Sequence, residues 1–323
     1  MLDLIRKPIE QQLNELEFRF QSLIQTDVKL INDILNHIIA TKGKRLRPML
    51  LLLCSNLQGQ ATKEAIEAAT IVELLHTATL IHDDVVDNSD MRRGAPSVNS
   101  IWENKISVLI GDFLFAEVLN RLTHLNDPKM LEIIAHITIQ MSQGELLQME
   151  RAQNFEMDES TYFRLIHNKT ASLTAATCQL GGLCCTQPDL DHIENLAEFG
   201  YHLGIAFQIK DDLLDYDGSV AKLGKPINKD LLENIITLPL LYSLKQADER
   251  TRQQILSILQ DRGNSNQRNK IVDFIRQFGG REYAEQQADY HIQQAEQRLQ
   301  RYQDSPYKQS LLLLTKFIIS REV

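Results

Sequence analysis

The amino-acid sequence predicts an all-α protein made of long antiparallel helices packed in a bundle. Apolar residues recur at steps of three and four near the start of the chain, as in Leu13, Leu16 and Phe20, and this spacing places them on one face of an α-helix. The 323 residues include only 14 glycines and 8 prolines. No run of alternating apolar and polar residues bounded by turn residues, which would indicate a β-strand, is convincing.

Turn residues divide the chain into predicted helices of about 15–25 residues, a usual length in helical bundles. Gly, Pro, Asn and Asp gather at these breaks because they favour turns. The predicted breaks are Thr41–Lys44, Gly94–Pro96, Asn126–Pro128, Gln187–Pro188, Gly218–Pro226, Asp261–Ser265 and Phe278–Gly280. Since no long linker, low-complexity segment or solenoid repeat separates the helices, we expect a single domain over residues 1–323.

Composition argues against several classes of function. The formal net charge of −9 disfavours nucleic acid as a partner, because binding phosphate backbones requires clustered Lys and Arg. No apolar run approaches the roughly 18–20 residues of a membrane span, and the first residues lack the apolar stretch of a secretion signal. A cytoplasmic protein is therefore expected. Cysteines 54, 178, 184 and 185 show no zinc-binding spacing and are expected to be buried apolar residues.

Two acidic clusters carry the clearest functional signal, and both have the pattern DDxxD. They consist of Asp83, Asp84 and Asp87 in LIHDDVVD, and of Asp211, Asp212 and Asp215 in QIKDDLLD. On a helix, positions i and i+4 share a face, so the first and last aspartates of each cluster project together. Ionised carboxylates this close repel by about 4 kcal/mol at an effective dielectric constant of about 20, unless a cation offsets the repulsion.

These clusters have two possible interpretations, a solvated acidic face or a metal site. The apolar neighbours Ile81, Val85 and Leu213 show that the aspartates lie on largely apolar helices, which favours the metal site. Ligand sets made only of oxygen suit Mg²⁺, which keeps several waters and bridges protein carboxylates to substrate phosphates. We therefore predict that all six aspartates contribute to magnesium sites.

Basic residues near the first cluster could contact a second charged substrate directly. They are Lys44 and Arg47 in GKRLRP, and Arg92 and Arg93 shortly after the first cluster. An arginine fork matches phosphate oxygens in bidentate fashion, and lysine acts as a point charge. Either set alone would be an ordinary surface patch. Beside paired aspartate clusters, the two sets together predict direct binding of a diphosphate.

The ordered motifs GKRLRP, LIHDDVVDNSDMRRGAPS, GDFLFA, HNKT and FQIKDDLLDY followed by LGKP resemble those of the trans-prenyltransferases, or polyprenyl diphosphate synthases. The likeness is greatest to long-chain bacterial members, including the catalytic subunit of heptaprenyl diphosphate synthases. It implies a helical bundle around a central cavity, of the isoprenoid synthase type. It also implies magnesium-dependent condensation of isopentenyl diphosphate with an allylic diphosphate to all-trans products. A homodimer is implied, with a small accessory subunit in some relatives, and the product is expected to pass to membrane enzymes.

The same resemblance assigns roles to individual residues. Asp83 and Asp87 would hold two of three magnesium ions, and Asp211, with Asp215, the third. The implied contacts of the allylic diphosphate are Arg92, Lys169 and Lys225, and those of isopentenyl diphosphate are Lys44, Arg47, His76 and Arg93. Oxygens of Thr170 and Gln208 would face the allylic cation. By itself, a histidine on an apolar helix such as His76 is usually a core residue.

Two departures from the family pattern stand out. Ile235 occupies the place of a lysine that many relatives carry after the second cluster, and that lysine is one possible diphosphate contact. The C-terminal segment is only weakly basic, with Arg321 near its end, which argues against tail residues closing the site.

Product length is predicted from the residues that precede the first cluster. Ala78 and Thr79 lie about 6–7.5 Å below Asp83 along a helix, around one isoprene unit deep. Both are small, so we expect a product of at least about twenty carbons, with thirty to forty favoured. The growing chain would then be stopped deeper in the cavity, by Leu74 or Leu75 one helical turn before Ala78, or by Phe113 and Phe115 of the next helix. All four could equally be ordinary core residues.

Three alternatives compete with a synthase. A terpene cyclase of the same helical class usually carries one DDxxD motif, so the second motif and GKRLRP argue against it. A non-catalytic partner subunit of another synthase would typically lose aspartates or the paired arginines, which this chain keeps. A helical scaffold with acidic faces would not bind diphosphates with magnesium.

Overall fold

The structure is a computed structural model that describes residues 1–22, 26–41, 43–154, 157–216, 235–260 and 265–321, and for residues 153, 154 and 265–268 it describes the backbone alone. The described residues are almost entirely helical, which confirms the all-α prediction. None of their helices is long and apolar enough to cross a membrane. The predicted turns at Gly218–Pro226 and Asp261–Asn264 lie outside the described residues. The remaining predicted breaks coincide with interruptions of the helices.

The helices, in chain order, are α1 (Leu2–Arg6), α2 (Glu10–Ser22), α3 (Lys29–Ala40), α4 (Leu46–Cys54), α5 (Glu64–Val86), α6 (Val98–Leu125), α7 (Pro128–Asn154), α8 (Glu159–Ile166), α9 (Ser172–Leu183), α10 (Leu190–Tyr216), α11 (Leu238–Gln246), α12 (Glu249–Gln260), α13 (Ser265–Gln277), α14 (Gly280–Leu299) and α15 (Pro306–Ser320). A 3₁₀ turn spans Lys7–Ile9, a π-helix spans His167–Ala171, and two short strands are β1 (Met91–Arg92) and β2 (Ala95–Pro96).

The chain forms two compact units. Unit 1 comprises Met1–Ile134, Ala176–Ala197 and Gln300–Leu314, and unit 2 comprises Ala135–Ala175, Glu198–Leu299 and Thr315–Val323. The single domain over residues 1–323 stays a prediction.

The core of unit 1 is built around α5, which packs against α2, α4 and α6. Every residue of α4 from Pro48 to Cys54 is buried, as expected for a helix that is apolar on all sides. All four cysteines are buried and free, which confirms the prediction made for them. Burial raises the pKa of the Cys184 thiol to about 12.

The core of unit 2 brings α8, the π-helix, α10, α11 and α14 together. Its buried side chains are Tyr162, Leu165, Ile166, Ala171, Ile205, Ile209, Leu213, Leu238, Ala284 and Ala288. On α10 these apolar residues recur at a spacing of four, so they lie on one face of the helix.

A small hairpin between α5 and α6 is absent from the sequence prediction. Strands β1 and β2 pair antiparallel, with Arg92 opposite Ala95. At the two residues between them, Arg93 and Gly94, φ is positive (54° and 77°), as a type I′ turn requires. Strands of two residues are too short to show an alternating pattern, which is why periodicity could not reveal them.

The π-helix at His167–Ala171 lies close to two glycines of neighbouring helices. A Cβ atom on Gly144 of α7 would lie 2.9 Å from the backbone nitrogen of Lys169, and one on Gly204 of α10 would lie 2.6 Å from the Cα of Ala171. Only glycine leaves room for such close approach. Both neighbouring helices can therefore pack directly against the backbone of the π-helix.

We expect Gly204→Ala to destabilise the protein. An alanine is normally the better helix former by about 1 kcal/mol, but here its methyl group would crowd the Ala171 backbone, and overpacking costs about 1–3 kcal/mol. Urea unfolding measures the change. Gly94→Ala is a comparison for a different cost, that of an L side chain at a positive φ of 77°, because its Cβ would meet no heavy atom within 4 Å. A Gly204→Ala protein as stable as the native one would contradict the proposed crowding.

Candidate active site

The first acidic cluster lies at the C-terminal end of α5 in unit 1. Asp83 and Asp87 are partly exposed, whereas Asp84 is 3% exposed. The buried Asp84 carboxylate accepts hydrogen bonds from Arg92, one of them from Nε at 2.8 Å. Arg92 belongs to β1, so this partly buried ion pair attaches the hairpin to α5. Of the three carboxylates in this cluster, those of Asp83 and Asp87 are the more exposed to solvent.

The predicted ligands of isopentenyl diphosphate meet in unit 1 beside this hairpin. The Arg93 guanidinium packs over Gly43, where a Cβ atom would lie 2.5 Å from its Cζ. Arg47 Nη1 donates to His76 Nε2 at 3.0 Å. Burial and the nearby charges of Arg47 and Arg93 lower the pKa of His76 well below its usual range. His76 is therefore neutral at physiological pH and able to accept the hydrogen bond from Arg47.

Lys44 lies in the same loop as Gly43, with an exposed side chain. Its backbone oxygen accepts a hydrogen bond from Arg6 Nη2 at 2.9 Å. The loop is thus attached to α1 on one side and continues directly into α4 on the other. Lys44, Arg47, His76 and Arg93, which the resemblance groups together, therefore belong to one compact unit.

The second acidic cluster lies at the C-terminal end of α10 in unit 2. Asp211 and Asp215 are partly exposed, and the central Asp212 is 4% exposed. Asp212 accepts hydrogen bonds from the Tyr162 hydroxyl at 2.6 Å and from Gln208 Nε2 at 2.8 Å. Burial raises the pKa of Asp212 to about 7, although these two hydrogen bonds oppose the rise. The two clusters thus share one arrangement, with the central carboxylate buried and the outer ones accessible.

Arg321 of the C-terminal segment contacts the second cluster, although the weak basicity of this segment argued against tail residues closing the site. Its Nη2 lies 2.6 Å from Asp211 Oδ1 and donates to the Phe207 backbone oxygen at 2.8 Å. The guanidinium also lies over the Phe207 ring, 3.9 Å from its centroid. Overall basicity was a poor guide here, because a single arginine directly after the apolar helix α15 suffices to reach the cluster.

The π-helix presents Lys169 and Thr170, two of the predicted catalytic residues. Lys169 Nζ lies 2.9 Å from Glu145 Oε1 and donates to Gln148 Oε1 at 3.1 Å. Thr170 Oγ1 donates to Gln208 Oε1 at 2.7 Å. Since Gln208 in turn donates to Asp212, hydrogen bonds connect Thr170 to the second acidic cluster. Within α-helices, π-helical turns are frequent at functional sites.

Several contacts of these residues were not anticipated from the sequence. Tyr162, Glu145 and Gln148 belong to none of the recognised motifs, and their partners lie many residues away along the chain. Tyr162 precedes the motif HNKT by one turn or so, and that proximity is the one local signal that could have drawn attention to it.

The residues predicted to control product length lie on α5. Ala78 is fully buried and Thr79 is partly exposed, with its hydroxyl donating to the His76 backbone oxygen at 2.9 Å. Leu74 and Leu75 are fully buried, whereas Phe113 and Phe115 of α6 are partly exposed. Lys225 lies outside the described residues. Ile235 is partly exposed.

The accessible aspartates fit magnesium held jointly by protein and substrate. In the part of the chain that the structure describes, no group of three or more His, Cys, Asp or Glu side chains is arranged to hold a metal ion. Magnesium is usually bound through one or two carboxylates, several waters and substrate phosphates, which is what two outer aspartates in each cluster provide. The more deeply buried Asp84 and Asp212 accept hydrogen bonds from protein donors, and among the outer aspartates Asp211 pairs with Arg321.

Comparison with known proteins identifies the family. Residues 28–275 match the family model described as polyprenyl synthetase. The chain belongs to the polyprenyl synthetase family. This membership confirms the resemblance drawn from the motifs and makes the chain a prenyltransferase. Neither a terpene cyclase nor a non-catalytic partner subunit is favoured.

The names of several similar family members refer to long prenyl products. The chain is 34% identical to octaprenyl diphosphate synthase of Escherichia coli, over 93% of this chain and 92% of that protein. It is 30% identical to component 2 of heptaprenyl diphosphate synthase of Bacillus subtilis, over 97% and 89%. A polyprenyl synthase of Caulobacter crescentus, solved with calcium and isoprenyl diphosphate, superimposes with a TM-score of 0.93 at 32% identity, over 100% of this chain and 98% of that one.

We expect Tyr162→Phe to destabilise the protein by about 1–3 kcal/mol, because the buried Asp212 carboxylate would lose a hydrogen-bond donor. The free energy of unfolding in urea at pH 7 measures the effect. The matched control is Tyr283→Phe, which removes a hydroxyl bonded to the partly exposed Glu159 and should cost less. Equal effects of the two substitutions would show that burial of Asp212 does not matter.

Proposed function

We propose that this prenyltransferase condenses isopentenyl diphosphate with an allylic diphosphate, using magnesium, to form all-trans prenyl diphosphates of at least about twenty carbons. The observation that carries the proposal is the arrangement in unit 1. Partly exposed aspartates of the first cluster lie on the same helix as His76, which is bonded to Arg47. α5 thus carries carboxylates suited to a metal-bound diphosphate and, through the hydrogen bond between His76 and Arg47, contacts a cationic set suited to a diphosphate bound directly.

Two further observations support the proposal. Relatives are named for products of seven and eight isoprene units, as heptaprenyl and octaprenyl diphosphate synthases. The Caulobacter relative was solved with calcium and isoprenyl diphosphate, which is consistent with a divalent cation accompanying a prenyl diphosphate in this family.

The magnesium ligands in this proposal are the outer aspartates of each cluster. Following the family resemblance, Asp83 and Asp87 would hold two ions that accompany the allylic diphosphate, and Asp211, with Asp215, would hold a third. Bound magnesium supplies positive charge that stabilises the pyrophosphate as it leaves. Asp84 keeps Arg92 in place, and the family resemblance assigns Arg92 of unit 1 and Lys169 of unit 2 to contacts of the allylic diphosphate. Lys225, which the resemblance also assigns to it, lies outside the described residues.

Isopentenyl diphosphate is bound by protein cations alone in this proposal. Lys44, Arg47 and Arg93 neutralise its phosphates, and the neutral His76 orients the Arg47 guanidinium through their hydrogen bond. Because the His76 pKa is low, the imidazole adds no further positive charge beside the arginines. The arginine forks remain ionised throughout the physiological pH range.

The reaction then follows from the charges that the chain presents. The allylic carbon–oxygen bond breaks, and its electron pair leaves with the pyrophosphate. The isopentenyl double bond attacks the resulting cation to form the new carbon–carbon bond, and a proton passes to the released pyrophosphate. Thr170 donates its hydroxyl hydrogen to Gln208, so the lone pairs of its oxygen are left to stabilise the allylic cation.

A homodimer in the cytoplasm, with delivery of the product to membrane enzymes, belongs to the same proposal. The Bacillus relative is named as one component of a synthase, so a small accessory subunit is a specific alternative to full activity of this chain alone.

We expect purified protein with magnesium, farnesyl diphosphate and labelled isopentenyl diphosphate to form a ladder of products that ends at a defined length beyond fifteen carbons. EDTA should abolish the ladder. Asp83→Asn should lower kcat by about 100-fold or more, because charge on the leaving group would lose stabilisation. The control is Asp90→Asn, an exposed aspartate outside the cluster. Failure with farnesyl, geranyl and dimethylallyl primers would contradict autonomous synthase activity, and diphosphate binding without turnover would indicate a missing subunit.

Product length tests the assignment of α5 as the path of the growing chain. Ala78→Phe should shorten the product, because an aromatic ring would block the space about one isoprene unit below Asp83. Because Ala78 is fully buried, a phenylalanine there disturbs the packing. Thr79→Phe is a second variant, at a partly exposed position where a larger side chain interferes less with folding. Sizing of the extracted products is the measurement. Native product length in a folded, active form of both variants would refute the assigned path.

A further inference from the structure

Arg45, the residue that follows Lys44 in the loop before α4, forms ion pairs with two carboxylates. Arg45 Nη1 donates to Glu73 Oε1 at 2.8 Å, and its Nε donates to Glu17 Oε1 at 3.0 Å. Its guanidinium also lies over the Phe20 ring, 4.6 Å from the centroid. Arg45 is 9% exposed and Glu73 is 2% exposed. One arginine thereby connects the loop to α2 and to α5.

The backbone of Arg45 shows that this attachment holds the loop in an unfavourable conformation. Its φ of 53° and ψ of 38° place it in the left-handed region at the N-cap of α4. For residues other than glycine this conformation is unfavourable, and it persists only where the surroundings determine it. The ion pairs with Glu73 and Glu17 are such surroundings. They set the direction in which the chain enters α4, and therefore the positions of Lys44 and Arg47.

Glu73 is also near the other cations of this set. It lies on α5 three residues before His76, so the two side chains point to the same face of the helix. Its carboxylate attracts Arg93, which Arg45 and Arg92 repel. A buried negative charge at this point allows several arginines to lie close together without being driven apart.

We propose that Arg45 and Glu73 are positioning residues for isopentenyl diphosphate. They hold the Gly43–Arg45 loop, Arg47 at the start of α4, and Arg93 in the arrangement that binds this substrate, without contacting it themselves. The inference rests on the proposed function, because it names what orders the second diphosphate site. The guanidinium of Arg45 points to carboxylates, so its charge is engaged inside the protein. Its contribution is to fix the geometry of the neighbouring cations.

The matched comparison is Glu73→Gln against Glu67→Gln. Glu67 lies on the same helix and pairs with Arg19 of α2 at 2.5 Å and with Arg121 of α6 at 2.6 Å. Both substitutions therefore break an ion pair between α5 and a neighbouring segment, but only Glu73 contacts the loop. Glu67 has no place in the proposed catalytic machinery.

We expect Glu73→Gln to raise the KM for isopentenyl diphosphate by about tenfold, since a small misplacement of binding groups has effects of this order. The KM for the allylic diphosphate should change by less than about twofold. Glu67→Gln should leave both KM values unchanged. Calorimetric binding of isopentenyl diphosphate without metal should show the same contrast independently of turnover. Arg45→Lys, which retains the charge but not the fork, should give an intermediate effect.

If Glu73→Gln fails to fold, Glu17→Gln carries the test, because Glu17 is less buried and its loss should raise the same KM by a smaller factor. The inference is overturned if the native enzyme condenses both substrates while the folded variant keeps the native KM for isopentenyl diphosphate. It is also overturned if Glu67→Gln raises that KM equally. Absence of condensation by the native protein, with all primers, would instead overturn the proposed function.

Discussion

Burial of negative charge on α5 is the constraint on which the candidate site in unit 1 depends. Glu73 and Asp84 are both at most 3% exposed, and removing such charges from water costs several kcal/mol unless they are paired. Each is paired with an arginine from a separate segment, Arg45 before α4 and Arg92 in the hairpin. The rigid helix α5 thereby fixes the distance between the loop before α4 and the hairpin.

In unit 2 the buried carboxylate of Asp212 has a different kind of hydrogen-bond partner. Asp212 is held by the neutral donors of Tyr162 and Gln208 rather than by an arginine, and burial, together with the nearby charges of Asp211 and Asp215, raises its pKa to about 7. In both clusters the outer aspartates remain partly exposed. Within one helical turn, the DDxxD pattern thus places its central residue among protein donors and its outer residues nearer to solvent, where Asp211 also pairs with Arg321.

Much of this arrangement could be predicted from local sequence. Periodicity predicted the helices, and the spacing of Asp83 and Asp87 predicted that they share a face, because both properties depend on neighbours within two turns. Contacts between distant segments could not be predicted in this way. Arg321 meets Asp211 across 110 residues of sequence, and no pattern near either residue specifies the other. The roles given to individual site residues rest on family likeness and stay predictions.

The π-helix has a consequence for how this segment can change during evolution. A π-helical turn accommodates one more residue than an α-helical turn in the same space. Deleting a single residue at 167–171 would favour a regular α-helix, which is easier to form, but it would rotate the preceding or following side chains by about 100°. Lys169 and Thr170 would then lose their bonds to Glu145 and Gln208. Natural variation here should therefore proceed by substitution, whereas insertions and deletions should be eliminated.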